Sequence, residues 1–82
     1  MNYLLFTTTS CPKCPKMKEF VRENFAGFSG EILDETKPNF MEQVQKYGVT
    51  VAPVLLIFKD GEEIFRGSEI YEVEDFLNKT SS

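Results

Sequence analysis

Histidine and tryptophan are both missing from this chain, and cysteine occurs only twice. Each shortage excludes something. A closed tetrahedral zinc site takes four ligands, mostly Cys and His, and with two Cys and no His a closed site within a single chain would have to use carboxylates. Two Cys are also too few for the dense disulfide framework of small secreted domains. Basic residues are outnumbered, nine Lys and Arg against 13 Asp and Glu, for a net charge of −4. Nucleic-acid binding needs a basic footprint, so no nucleic-acid partner is expected. No apolar run approaches the ~20 residues of a membrane span, so no membrane role is expected. The opening Met1-Asn2-Tyr3-Leu4-Leu5-Phe6 lacks the basic and apolar regions of an export signal. The expected location is therefore the cytoplasm.

What remains is the composition of a globular domain, 41% hydrophobic with eight Phe to fill a core. A chain this short buries only about 60–65% of its unfolded surface. Residues 1–82 are expected to form one domain, with 80–82 as a flexible tail.

Both cysteines fall in one stretch, Thr9-Ser10-Cys11-Pro12-Lys13-Cys14-Pro15-Lys16. A short apolar run precedes it and a helical pattern follows. A Cys-x-x-Cys at a strand-to-helix junction, in an α/β pattern without an export signal, reads as a redox dithiol.

Taken in order, residues 2–8 read as a strand, continuous enough in apolar character to be buried on both faces. Met17, Phe20, Val21, Phe25 and Phe28 then fall at helical spacing. Pro12 suits the first helical position, which puts Cys11 at or beside the N-cap. Pro15 predicts a late or distorted start. Gly27 and Gly30 are expected to end the helix. Residues 31–35 read weakly as a strand. Asn39 with Glu42 resembles a capping box opening a short helix over 40–47, which Gly48 stops. Val54-Leu55-Leu56-Ile57-Phe58 is the strongest strand, opened by Pro53, which has no N–H to donate. Asp60-Gly61 marks a hairpin of positive φ, and the charged return strand 63–66 is expected at the sheet edge. Ile70, Val73, Phe76 and Leu77 predict a last helix over 70–79. The order β-α-β-α-β-β-α predicts an α/β fold: one mixed four-stranded sheet with helices on both faces.

Chemically, the attacking species is a thiolate. The unpaired N–H groups and dipole of the following helix favour the charged form. Lys13 and Lys16 add positive charge, and Cys14 can donate to the Cys11 sulfur, which Pro12 cannot do. The expectation is that Cys11 attacks and Cys14 resolves. Three alternatives stand beside it: a structural staple, a dead redox domain, and an iron–sulfur cluster carried between two subunits with two Cys from each. No acid lies in the first strand to relay protons. Asp34 and Glu35 are the nearest by order, and read more simply as a solvated strand end. Lys13 reads equally well as an exposed first-turn residue.

Over nearly its whole length the chain resembles the thioredoxin superfamily. Cys11-Pro12-Lys13-Cys14 and the small size look like glutaredoxin. The stretch from Lys46-Tyr47-Gly48 through Pro53 to Lys59-Asp60-Gly61 looks more like thioredoxin. The sequence is most similar to compact hybrids of the two, glutaredoxin-like proteins or small thioredoxins. The resemblance implies a thioredoxin-like fold and a monomeric protein disulfide reductase with no bound cofactor or metal. It implies that Pro53 is cis and beside Cys11, and that the backbone of Ala52 pairs with an extended substrate. It implies a thioredoxin-reductase-like electron source, with glutathione as the alternative reductant, and ribonucleotide reductase as a target by family. Glutaredoxins hold glutathione with a Gly-Gly turn followed by a polar residue and Asp. Arg66-Gly67-Ser68-Glu69 matches that in part, which makes Gly67 and Ser68 candidate substrate contacts. Lys13 and Arg66 would then serve an anionic ligand. The plainer reading is a turn in which Ser68 caps the last helix.

Overall fold

The computed structural model describes residues 2–80. The elements are β1 (Asn2–Phe6), α1 (Cys14–Asn24), β2 (Ser29–Leu33), α2 (Phe40–Tyr47), β3 (Val54–Lys59), β4 (Glu62–Gly67) and α3 (Ile70–Thr80). They make one four-stranded sheet in the order β2-β1-β3-β4. β1 runs parallel to β2 and antiparallel to β3, and β3 runs antiparallel to β4.

The apolar runs of β1 and β3 become central strands because their alternate residues feed two cores. Leu5, Leu55 and Ile57 face Met17, Val21 and Phe25 of the α1 side and Val73 of α3. Phe6, Val54 and Leu56 face the opposite way, with Phe40, Val44 and Tyr47 of α2 packed against them. Helices therefore cover both faces, as the sequence implies. The Asp60-Gly61 hairpin has positive φ at both residues, 54° and 83°, the backbone a type I′ turn requires. β4 lies at an edge. Its register skips Ile64, between Ile57↔Phe65 and Phe58↔Glu63, and this bulge leaves Ile64 exposed.

Several local expectations are corrected. β1 ends at Phe6, yet Thr7 continues the contact by donating both its N–H (2.8 Å) and its hydroxyl (3.0 Å) to the Leu33 carbonyl. β2 spans 29–33 rather than 31–35. Gly30 does not end a helix. It pairs with Tyr3, whose ring occupies the space a Cβ would need. α1 closes at Asn24 with Phe25 as its C-cap. Phe28 thus lies beyond the helix, its ring centroid 5.0 Å from that of Phe25. Asn39 precedes α2 without a side-chain cap bond, so the capping box is not formed. Gly48 does end α2 in the left-handed region, φ 64°. Residues 81–82 of the expected tail lie outside the described residues.

Candidate active site

The site stands at one end of the sheet, where the chain leaves β1, β2 and the start of β3. α1 begins at Cys14, with Lys13 as N-cap and Pro15 in its first turn. Cys11 and Pro12 therefore precede the helix, contrary to the expectation that Pro12 opens it. The residue before a proline is pushed towards extended backbone, so Cys11 resists a helical start. Pro15 sits where a helix has no use for an N–H, and its missing donor costs nothing. The first intrahelical bond runs from the Met17 N–H to the Lys13 carbonyl at 3.2 Å.

Cys11 and Cys14 lie at disulfide distance, with 5.4 Å between their Cα atoms. Their surroundings differ. Cys14 is buried among core residues, 1% exposed, while Cys11 is half-buried. A hollow of about 400 Å³ opens over Cys11, lined by Pro12, Lys13, Val51, Ala52, Pro53, Ser68 and Glu69. The Ala52–Pro53 peptide bond is cis. Of the eight residues the sequence nominates, six line this hollow: Cys11, Pro12, Lys13, Ala52, Pro53 and Ser68. Cys14 lies buried behind the helix start. Gly67 lines a neighbouring hollow instead. A Cβ there would stand 2.6 Å from the Phe65 ring, so packing alone requires its smallness.

Electrostatic partners were harder to foresee. The Lys13 Nζ pairs with the Glu69 carboxylate at 2.7 Å, and that hydrogen bond raises the pKa of the amine. Part of the positive charge expected to serve Cys11 is thus directed to Glu69. Arg66 donates to both Glu63 oxygens, at 2.9 and 3.0 Å, and to the Tyr47 carbonyl at 2.6 Å. It ties β4 to the end of α2. The α3 cap comes from Glu72, whose Oε1 accepts the N–H groups of Ser68 and Glu69 at 3.0 Å each. The Ser68 side chain is not the cap that the sequence suggested.

Glu35, read from the sequence as a solvated strand end, accepts the Thr9 N–H at 2.8 and 3.2 Å and the Thr9 hydroxyl as well. The Thr9 hydroxyl, then its N–H, hold the Glu35 carboxyl below the usual carboxylate range. Thr36 does the same to Asp34. The sign of the pH dependence follows. Both groups bind protons less readily when folded, so their contribution is complete above the ordinary carboxylate range. It is lost as pH falls through their lowered values. Thermal melts from pH 7 to pH 3 should show a falling Tm, and Glu35→Gln should remove part of that slope. A parallel slope in the variant would count against the Thr9 contact. Among the described residues no group of three or more His, Cys, Asp or Glu is placed to hold a metal ion. No helix among them is long and apolar enough to cross a membrane.

A mixed four-stranded sheet with helices on both faces, and a Cys-x-x-Cys pair closing at a helix N-terminus beside a cis-proline, defines a dithiol protein of thioredoxin-like fold. The family model described as a thioredoxin domain matches residues 1–79, and the chain belongs to that family. A search of curated proteins finds no match. Among solved structures, the reduced thioredoxin pre-protein of Schistosoma mansoni is similar with a TM-score of 0.78 at 23% identity, over 95% of this chain and 76% of that one. Oxidised thioredoxin O2 of Arabidopsis thaliana gives 0.79 at 16%, over 95% and 72%. Thioredoxin 1 of Thermosipho africanus gives 0.66 at 17%, over the whole of both chains. At these identities the likeness establishes the fold. The family and the paired cysteines together support a thiol–disulfide oxidoreductase.

Proposed function

We propose that this chain reduces disulfides in other proteins through Cys11 and Cys14. The observation that carries the reading is the asymmetry of the pair: one sulfur half-buried in an open hollow, the other buried behind it at the first residue of α1. The Cys11 thiolate attacks one sulfur of the target disulfide, forming a mixed disulfide and releasing the other target sulfur as a thiolate. The Cys14 thiolate then attacks the Cys11 sulfur. That closes the Cys11–Cys14 disulfide and releases the second target thiolate. Two electrons pass to the target, whose thiolates take up two protons. Two electrons from a reductant reopen the pair. Ala52 and Pro53 form the wall against which an extended target segment lies, with Pro12 and Ser68 on the other sides of the hollow.

The engagement of two nominated cations supports protein disulfides over glutathione as the substrate. The two cations nominated for an anionic ligand, Lys13 and Arg66, are already engaged with Glu69 and Glu63. Gly67 answers to Phe65 packing. We therefore assign a thioredoxin-reductase-like electron source, and a monomer acting in the cytoplasm. Ribonucleotide reductase is one candidate target, and glutathione stands as the alternative reductant.

Insulin reduction driven side by side by NADPH with thioredoxin reductase, and by NADPH with glutathione and glutathione reductase, tests the assignment. Turnover with the first alone is expected. Turnover with the second alone would make the protein a glutaredoxin. Silence with both of these and with dithiothreitol would sink the reductase reading. A brown purified dimer absorbing beyond the aromatic band would replace it with the iron–sulfur carrier.

A further inference from the structure

Residues 7–11 leave the sheet to carry Cys11, and few hydrogen bonds hold them. Thr7 is fixed to Leu33 at the sheet end. The Cys11 N–H donates to the Thr8 carbonyl at 3.3 Å, closing a loose turn. Thr9, the second residue of that turn, is gripped from outside. Its N–H meets both oxygens of Glu35, at 2.8 and 3.2 Å, and its hydroxyl donates to the same carboxylate. Glu35 lies 26 residues further along the chain, two residues past the end of β2.

We infer that Glu35 is a positioning residue for Cys11: its carboxylate fixes the turn so that the Cys11 sulfur stays at the N-terminus of α1. The inference rests on Cys11 as the attacking thiol. The thiolate depends on being near the unpaired N–H groups of the helix start. A turn free to swing would carry the sulfur away from them and lower the thiolate fraction at neutral pH. The field of a carboxylate works in the other direction, since a nearby negative charge raises a thiol's pKa. The charged residues lining the hollow with Cys11, Lys13 and Glu69, are paired with each other. The benefit of Glu35 is therefore geometric, and it opposes the carboxylate's own charge. Hydrogen bonds from a charged acceptor are about twice as strong as neutral ones, which suits a single side chain holding a whole turn.

The test is the pH profile of iodoacetamide alkylation of Cys11 in the reduced protein, for the parent chain, Glu35→Ala and Glu35→Gln. Glu35→Ala removes grip and charge together. Glu35→Gln removes the charge but keeps an oxygen to accept the Thr9 N–H. The expected result is that Glu35→Ala moves the profile to higher pH and slows alkylation at pH 7 by about tenfold, while Glu35→Gln recovers to within about threefold of the parent rate. A profile unchanged in Glu35→Ala would overturn the inference. So would equal shifts in the two variants, which would mean that an acceptor oxygen at this position does not hold the turn, or a shift to lower pH, which is the signature of charge alone. Alkylation needs no partner protein. Failure of the reductase reading would instead appear in the parent chain, as no dithiothreitol-driven insulin reduction.

Discussion

Replacing Cys11 by serine should abolish disulfide reduction, lowering dithiothreitol-driven insulin turnover by at least about 1,000-fold, to background. No other group can take its place. The second sulfur, Cys14, belongs to a residue only 1% exposed, so a target sulfur cannot reach it. Cys14→Ser should behave differently. Its Cys11 still attacks, but nothing resolves the product, and a stable mixed disulfide should accumulate one-to-one with target. Mass spectrometry before and after added thiol reads that adduct directly. The two substitutions together fix the order of the steps. An adduct on Cys14 in the Cys11→Ser variant, or alkylation of Cys14 ahead of Cys11 in the parent, would reverse the assignment. Because the hydroxyl of serine is close in size to the thiol, both variants should keep their fold, and circular dichroism would verify it.

The sequence was most informative where one residue's physics decides its neighbourhood. Apolar runs without alternation marked β1 and β3 as central strands. Asp60-Gly61 marked a hairpin that no other dipeptide in the chain would make as well. The charge of β4 marked an edge. The Cys-x-x-Cys located the site, and the family resemblance placed Pro53 beside it. Boundaries were less legible because tertiary contacts outvote local signals. Gly30 looks like a helix stop, but its lack of a side chain is needed by the Tyr3 ring. Asn39 and Glu42 have capping-box spacing, yet the Asn39 side chain makes no cap bond. The partners of long polar side chains were not legible at all. Glu35 finds Thr9 across 26 residues, and Lys13 finds Glu69 across 56. Nothing in local spacing announces either pair. Both arise because the sheet order gathers the ends of distant elements at one rim.

That rim leads to the largest stability effect expected here. Phe6→Ala should cost about 3–5 kcal/mol, the usual range for removing a buried aromatic ring. The side chain is fully buried, with Phe40 and Tyr47 of α2 at centroid distances of 6.2 and 6.5 Å. Leu33, Val54 and Leu56 complete the same cluster. A domain of this size has only about 4–12 kcal/mol to lose at 0.05–0.15 kcal/mol per residue. The Tm should therefore fall by on the order of 20 °C, at about 4–8 °C per kcal/mol. Met41→Ala, on the exposed side of α2, should shift stability by no more than about 0.5 kcal/mol and serves as the control. Position makes Phe6 more than a core residue. It pairs with Leu33 on one side and Val54 on the other. The chain leaves Phe6 for the Cys11 turn, leaves Leu33 for Glu35, and reaches Val54 directly from Pro53. All three arms of the site thus start from one row of the sheet, packed on this ring. Disulfide reduction by Phe6→Ala should accordingly drop well below its melting point, while a variant of similar cost on the other face, such as Phe25→Ala, whose ring is also buried, should lose activity only as it unfolds. Equal activity loss from both variants would mean that the site depends on global stability alone, and not on the row that Phe6 anchors.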